Sequence, residues 1–173
     1  IMIIINKRNL FFLISVWLLS TLLSAQNVTI STPHTQLLLS VPNGGTPEQL
    51  YYGSRTSDAD IRSICETARR RNAYPVYGMG YPCETALSVR HADGNLTLQM
   101  AVIGVKETRL TKENATLTVI ELKDKVYPFF VNICYKAWQD ADVIETWTEI
   151  RHEEKKPVQL QQFRSEEHTS ELQ

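Results

Sequence analysis

The second half of the chain alternates apolar and polar residues in short segments that are separated by polar turns. In the clearest segment, residues 129–136 (FFVNICYK), every second side chain from Phe129 onward is apolar. This period of two is that of a β-strand with one buried face, because successive side chains point to opposite faces of a sheet. Similar segments cover residues 96–102, 117–123, 143–150 and 158–163. Regularly spaced strands with short connections predict an antiparallel sheet protein.

Aromatic residues lie on both faces of these strands, which favours two packed layers, with core packing as the expected role of most of them. Shorter strand-like segments precede them at residues 28–31, 36–41 and 49–53, with a turn cluster at 42–45. We therefore expect a mainly β fold, namely a large antiparallel β-sandwich of the supersandwich type.

Residues 57–71 interrupt the β pattern. Ile61, Ile64, Cys65 and Ala68 follow the i, i+3, i+4, i+7 spacing of an amphipathic helix. Ser57, with Asp60 three residues later, resembles a capping box in which Asp replaces Glu. The run 69–71 (three arginines) is predicted to lie in the last turn, where cations interact favourably with the helix dipole. One short helix is the expected exception to the β framework.

Composition narrows the range of partners. The chain has 173 residues, about one domain's worth. Its formal net charge of -1 gives no reason to expect nucleic acid or an anionic membrane surface as a partner. Cys65, Cys83 and Cys134 lack the CxxC spacing of a zinc site or redox pair, so buried or free thiols are expected, although one bridge stays open for an exported protein. No cofactor and no metal site are predicted.

The first 25 residues have the three parts of a secretory signal peptide. Lys7 and Arg8 precede the apolar run Leu10–Leu23, which small residues follow. The run is shorter than the roughly 20 residues that a stable membrane span needs. Cleavage near Ala25 is predicted, although Leu23 fits poorly at the third position back, so an uncleaved anchor is the alternative. We expect an exported protein, periplasmic or extracellular and of bacterial origin.

The last ten residues (164–173, RSEEHTSELQ) show neither a turn signal nor a hydrophobic pattern. The string resembles the in-frame translation of a common sequencing adapter, and an ordinary polar tail is the alternative. We expect a non-native tail on the front part of a longer protein. The predicted divisions are therefore a signal peptide (1–25), a β-sandwich domain (26–163) and the tail (164–173).

Local motifs of catalysis are not evident. The sequence contains no nucleophile elbow, phosphate loop, HExxH or metal-spaced His/Cys cluster. His91 lies on an apolar strand face just before a turn, and a hydrogen-bonded structural role is expected for it. The acidic residues of 140–149 could in principle form a pair of glycosidase carboxylates. They are interpreted as turn formers and as a solvated strand face.

Several longer motifs resemble the N-terminal domain of glycoside hydrolase family 36 α-galactosidases. They are AYPVYG (73–78), ETALSVRHADGNLTLQM (84–100), ELKDKVYPFFVNICYKAWQDADVIETWTEI (121–150) and PVQL (157–160). The resemblance covers most of residues 50–163, with the motifs in the family's order and at the family's distances. Thr85 stands where the family commonly has Pro, and the helix at 57–71 is not part of the pattern.

This resemblance implies a β-sandwich that precedes a (β/α)₈ barrel and a C-terminal β domain. Family members hydrolyse terminal α-galactosides with retention, which requires two carboxylates about 5–5.5 Å apart. Both are aspartates of the barrel, which takes about 250 further residues. The resemblance therefore assigns no catalytic residue to this chain, which is expected to be inactive alone. The expected partners are α-galactoside oligosaccharides through the barrel, and a homo-oligomer stays open.

Residues 86–91 alternate as a short strand, an Asp93-Gly94 turn follows, and a second strand comes after it, so a hairpin is predicted. In some family members the loop before this hairpin reaches the rim of the active site. Tyr81 and Glu84 are the corresponding positions, as a stacking ring and a hydroxyl acceptor for sugar. Members that use this loop usually carry an arginine, and none lies between Ala73 and Val89; simple loop packing is therefore the alternative. A further alternative for the whole chain is an exported carbohydrate-binding β-sandwich that stands alone, with exposed aromatics on one face or loop.

Overall fold

The computed structural model describes residues 26–82 and 84–164. The predicted signal peptide, Cys83 and residues 165–173 lie outside the described residues. No helix within the described ranges is long and apolar enough to cross a membrane.

Ten strands and one helix make up the described chain. In order they are β1 (Gln26–Ser31), β2 (Thr35–Val41), β3 (Glu48–Ser54), α1 (Asp58–Thr67), β4 (Arg71–Asn72), β5 (Leu87–Arg90), β6 (Met100–Leu110), β7 (Ala115–Asp124), β8 (Phe129–Trp138), β9 (Val143–His152) and β10 (Gln159–Phe163). The strands form sheet I (β1-β2-β3-β4), sheet II (β6-β7-β8-β9) and a two-stranded sheet III (β10-β5). All strand pairs in these sheets are antiparallel.

One hydrophobic core joins the three sheets. It includes Val28, Ile30, Leu37 and Leu39 of sheet I, Leu87 and Val89 of sheet III, and Ile120, Leu122, Phe129, Val131 and Ile133 of sheet II. Full burial of such a side chain contributes about 1.5–3 kcal/mol, so the core is the main source of stability. Antiparallel layers around a shared core confirm the predicted mainly β, sandwich-like fold with one short helix.

The second face of sheet I is also covered. Leu38 is fully buried, although its neighbours Leu37 and Leu39 point into the core on the opposite side. The segment around α1 lies over this face: the Thr56 amide donates to Gln36 Oε1 at 3.0 Å. Arg70 Nη1 donates to the Ser40 hydroxyl at 3.1 Å from the far end of the same segment. The run of three leucines therefore serves two different packing layers.

Helix α1 begins as predicted and ends earlier than predicted. Ser57 and Asp60 form the capping box, with the Ser57 side chain accepting from the Asp60 amide. The helix ends at Thr67 because Ala68 is already extended. The placement of arginines 69–71 in the last helical turn was wrong, since that turn contains no basic residue. Instead Arg70 pairs with Glu48 at 2.9 Å, and Arg71 begins β4.

Candidate functional site

The loop that carries Tyr81 and Glu84 is anchored at both of its ends. At its start the Tyr77 amide donates to the Leu87 carbonyl, and the Leu98 amide donates to the Tyr77 carbonyl. The preceding residues Tyr74 and Val76 are buried. From Tyr77 onward the loop leaves the core, and its apolar side chains at Tyr77, Met79 and Tyr81 are exposed by 48%, 38% and 37%. The anchored base of the loop thus presents these exposed apolar side chains to solvent.

Gly78 determines the path of this loop. Its φ is +101°, a value that side chains other than glycine rarely adopt. A Cβ built here would lie 2.6 Å from Thr97 Cγ2 and 2.9 Å from Thr97 Cα. The loop therefore turns where it crosses the backbone of the segment before β6, and only glycine fits.

Glu84 is held by Gln162 of β10 and by Arg164, which directly follows this strand. Its Oε2 accepts from Arg164 Nη1 at 2.5 Å, and its Oε1 accepts from Gln162 Nε2 at 3.5 Å. The pair with Arg164 is exposed, with side-chain exposures of 57% and 61%. Such surface pairs contribute little to stability. The carboxylate is thus accessible beside the loop tip, with a single cation as its close partner in the described structure.

The turn after β5 contains a buried histidine. The hairpin predicted at this turn was wrong, because β5 pairs with β10 and the next strand, β6, begins only at Met100. The His91 side chain is completely buried and its Nδ1 lies 2.7 Å from Glu154 Oε1, whose side chain is 6% exposed. The Ala92 amide donates to the other carboxylate oxygen at 3.0 Å. Tyr127 stacks on the imidazole at a centroid distance of 3.7 Å, and Phe129 meets it edge-on. The expected structural, hydrogen-bonded role of His91 agrees with this geometry.

The turn itself is closed by short-range side-chain contacts. Asp93 Oδ1 accepts from the Asn95 amide at 3.0 Å, and Asp93 Oδ2 accepts from the Tyr127 hydroxyl at 2.7 Å. These two bonds hold the pKa of Asp93 below its ordinary value. Gly94, with φ of +93°, supplies the left-handed residue that the turn requires.

Asp124, at the end of β7, organises the next connection. It is buried, and its two oxygens accept three backbone amides: Gln99 at 2.5 Å, Val126 at 2.8 Å and Tyr127 at 2.8 Å. The carboxylate therefore ties the segment before β6 to the turn that delivers Tyr127 onto His91. In the sequence this aspartate directly follows the alternating segment 117–123, which indicates only a turn.

The acidic residues of 140–149 serve structural contacts. Asp142, with φ of +54°, accepts from the Thr32 hydroxyl and from the His34 amide at 3.0 Å. Asp140 accepts from Asn114 Nδ2 at 2.6 Å. Within the described ranges, no group of three or more His, Cys, Asp or Glu side chains is arranged to hold a metal ion. The contacts of these carboxylates bridge turns of sheets I and II.

We expect the Asp142 contacts to make stability depend on pH. The hydrogen bond from Thr32, followed by that from the His34 amide, lowers the pKa of Asp142. A carboxyl with a lowered folded-state pKa stabilises the fold above its unfolded pKa, and this contribution is lost as pH falls through the folded pKa. Asp142→Asn should therefore lower the urea midpoint at pH 7 and have a smaller effect near pH 3. An equal difference between the two proteins at both pH values would contradict this linkage.

Two of the three cysteines lie within the described residues. Cys65 and Cys134 are free thiols. Burial raises the pKa of Cys134 to about 11, so this thiol is neutral at physiological pH and a poor nucleophile. Cys65 Sγ accepts from Asn27 Nδ2 at 3.3 Å, which links α1 to β1.

The three sheets and their shared core define a β-sandwich domain. Residues 45–169 match the glycosyl hydrolase family 36 N-terminal domain, and the chain belongs to this family. No curated protein matches the sequence.

Solved α-galactosidases share the fold. The enzyme from Lactobacillus brevis aligns with a TM-score of 0.67 and 16% identity, over 80% of this chain and 23% of its own. AgaA from Geobacillus stearothermophilus aligns with a TM-score of 0.68 and 15% identity, over 80% of this chain and 24% of its own. The galactosidase domain of the α-galactosidase–sucrose kinase AgaSK aligns with a TM-score of 0.64 and 20% identity. The alignment covers 78% of this chain and 23% of that domain's chain. This chain thus spans about a quarter of each of these structures.

Proposed function

We propose that this chain is the N-terminal, non-catalytic domain of an exported α-galactosidase that hydrolyses terminal α-galactosides with retention. The family match over residues 45–169 carries the proposal. It is supported by structures of AgaA in complex with raffinose and with stachyose, both of which are α-galactoside oligosaccharides. The two carboxylates that retention requires would come from a barrel beyond this chain.

The gene itself provides the decisive experiment. Reading the locus past the codon for Phe163 should reveal a barrel with an aspartate that follows a strand. The full-length product should then hydrolyse an aryl α-galactoside, whereas the 173-residue chain should not. An aryl α-N-acetylgalactosaminide, assayed in parallel, tests the sugar preference. A native stop codon directly after Phe163 would reject the enzyme and favour the stand-alone carbohydrate-binding module.

The loop tip at Tyr81 and Glu84 is proposed to lie at the rim of the active site of that enzyme. Tyr81 is exposed, and the Glu84 carboxylate is bound at short distance only by Arg164 among the described residues. Arg164 is the first residue of the expected non-native tail. In a native continuation with another residue at this position, Glu84 would be free to accept a sugar hydroxyl.

Substitution of Tyr81 in the full-length enzyme tests the rim position. Tyr81→Ala should raise KM for stachyose about tenfold, because a lost stacking contact of about 1.4 kcal/mol is a factor of ten. The kcat of the Tyr81→Ala enzyme for an aryl galactoside should stay unchanged, because this substrate does not extend to the rim. Tyr52→Ala is the matched control, since Tyr52 is 62% exposed on β3. Equal kinetics of the wild type and Tyr81→Ala would place the loop away from the substrate.

Export is proposed from residues 1–25, which carry the basic and apolar segments of a signal peptide. Expression of the full-length gene with and without these residues, followed by fractionation, tests the assignment. The intact precursor should yield activity outside the cytoplasm, and the shortened one activity inside it. Activity that stays in the cytoplasm in both cases would contradict export.

A further inference from the structure

The outer face of sheet II points away from the core and carries three separate aromatic rings. On β8 this face presents Phe130, Asn132, Cys134, Lys136 and Trp138, and on β9 it presents Glu145, Trp147, Glu149 and Arg151. Their register pairs Cys134 with Trp147 and Asn132 with Glu149. We propose that this face is a carbohydrate-binding surface, on which a neutral hexose unit stacks on the Trp147 ring.

The Trp147 ring is fixed in place by its polar neighbours. Trp147 Nε1 donates to Glu149 Oε1 at 3.3 Å, and Asn132 Nδ2 donates to Glu149 Oε2 at 3.2 Å. One carboxylate therefore orients the indole and an amide on the same face. A carboxylate has about four lone-pair positions, so Glu149 can accept sugar hydroxyls in addition to these bonds. An oriented ring beside unused acceptors combines apolar and polar recognition, as ligand sites do.

The other two rings of the face are covered by cations. Lys136 Nζ lies 3.8 Å from the centroid of Trp138, and Arg151 Cζ lies 4.1 Å from that of Phe130. Within the described chain, no Lys or Arg side chain lies in this way over Trp147. Beside Trp147 the next strands contribute Cys134 and Val119, whose side chains are small. The Trp147 indole is half-buried, and its solvent-facing part is the part that a flat ligand ring would contact.

The charges of the face favour a neutral ligand. Lys106 pairs with Glu121 at 2.5 Å, Lys136 pairs with Glu113, and Arg151 pairs with Glu153. The face therefore offers little net charge to an acidic or basic partner. The most exposed large apolar side chains lie mostly elsewhere, at Tyr52, Tyr77 and Val126 among others. A sugar ring has one apolar face and a hydroxylated edge. It is therefore a better match for an indole beside a carboxylate than an apolar protein surface is.

The experiment uses the whole 173-residue chain and does not depend on catalytic activity. Retardation in native gels that contain galactose-branched mannan, and titration with stachyose by calorimetry, should both show saturable binding. Trp147→Ala should weaken this binding at least tenfold, whereas Trp147→Tyr should retain most of it. Trp138→Phe is the matched control and should bind as the parent does, because its ring is already covered. Sedimentation should give the same molecular mass for all four proteins.

Two further variants keep the test informative where Trp147→Ala does not fold. Glu149→Gln and Asn132→Ala leave the indole and should each weaken binding several-fold at unchanged thermal midpoint. Absence of saturable binding in the parent overturns the proposal, as does an equal loss in Trp147→Ala and Trp138→Phe. Self-association of the parent that Trp147→Ala abolishes would also overturn it and assign the face to a second copy. Because the full-length hydrolysis assay reads a different activity, failure of one proposal leaves the other testable.

Discussion

Replacing Glu154 with alanine is expected to destabilise the domain by about 2–6 kcal/mol, because two buried donors, the first of them His91 Nδ1, lose their acceptor at about 1–3 kcal/mol each. His91 and Glu154 have side-chain exposures of 0% and 6%, so neither group regains water in the folded state. The Ala92 amide would lose its acceptor as well. Urea unfolding followed by tryptophan fluorescence measures this loss.

Glu153 provides the control for this variant. It is adjacent in sequence, but its side chain is 58% exposed, and its pair with Arg151 lies at the surface. Glu153→Ala should therefore change stability by no more than about 1 kcal/mol. Similar unfolding midpoints for Glu154→Ala and Glu153→Ala would show that the buried pair is not a structural contact.

The double variant His91→Leu/Glu154→Leu compares the loss of both partners with the loss of Glu154 alone. Replacing both members of this buried hydrogen-bonded pair with apolar residues removes the unpaired imidazole, so that the Ala92 amide is the one donor of the contact that stays without its acceptor. We expect the double variant to be more stable than Glu154→Ala. A double variant that is as unstable as Glu154→Ala would instead assign the loss to the Ala92 amide, which has no acceptor in either variant.

The strands were predictable because their signal is local. Alternation at Phe129–Lys136 reflects which face is buried, and the structure places β8 at Phe129–Trp138 with Phe129, Val131 and Ile133 in the core. The capping box was readable for the same reason, since Ser57 and Asp60 are only three residues apart. The end of the helix was not readable, because Arg71 is held by pairing with Gln49 of β3, which is distant in sequence.

The contacts around His91 could not be derived from the alternation of apolar and polar residues. His91 and Glu154 are 63 residues apart, and the charged segment that contains Glu154 indicated only a turn. The outer aromatics were likewise expected mainly in the core, whereas Phe130, Trp138 and Trp147 lie on the face that points away from it. Alternation shows that two faces exist, but it does not show which face a second layer covers.

Asp124→Ala is the second large effect that we expect. The side chain accepts three amides, those of Gln99, Val126 and Tyr127, and alanine would leave all three donors without their acceptor. An unsatisfied buried donor costs about 1–3 kcal/mol, so a total loss of about 3 kcal/mol or more is expected. Thermal and urea unfolding measure it, with Lys125→Ala at the neighbouring exposed position as the control.

Asp124→Asn distinguishes the two sides of this carboxylate. Its amide oxygen can still accept from Val126 and Tyr127 in place of Oδ1, whereas its NH₂ group would face the Gln99 amide in place of Oδ2. Two donors then oppose each other, so the hydrogen bond to Gln99 is lost, while the turn at Val126 and Tyr127 persists. Hydrogen exchange should show faster exchange at Gln99 alone in Asp124→Asn and at all three amides in Asp124→Ala. Equal protection of the three amides in both variants would mean that the turn is held by its backbone and that the carboxylate merely fills the space between two loops.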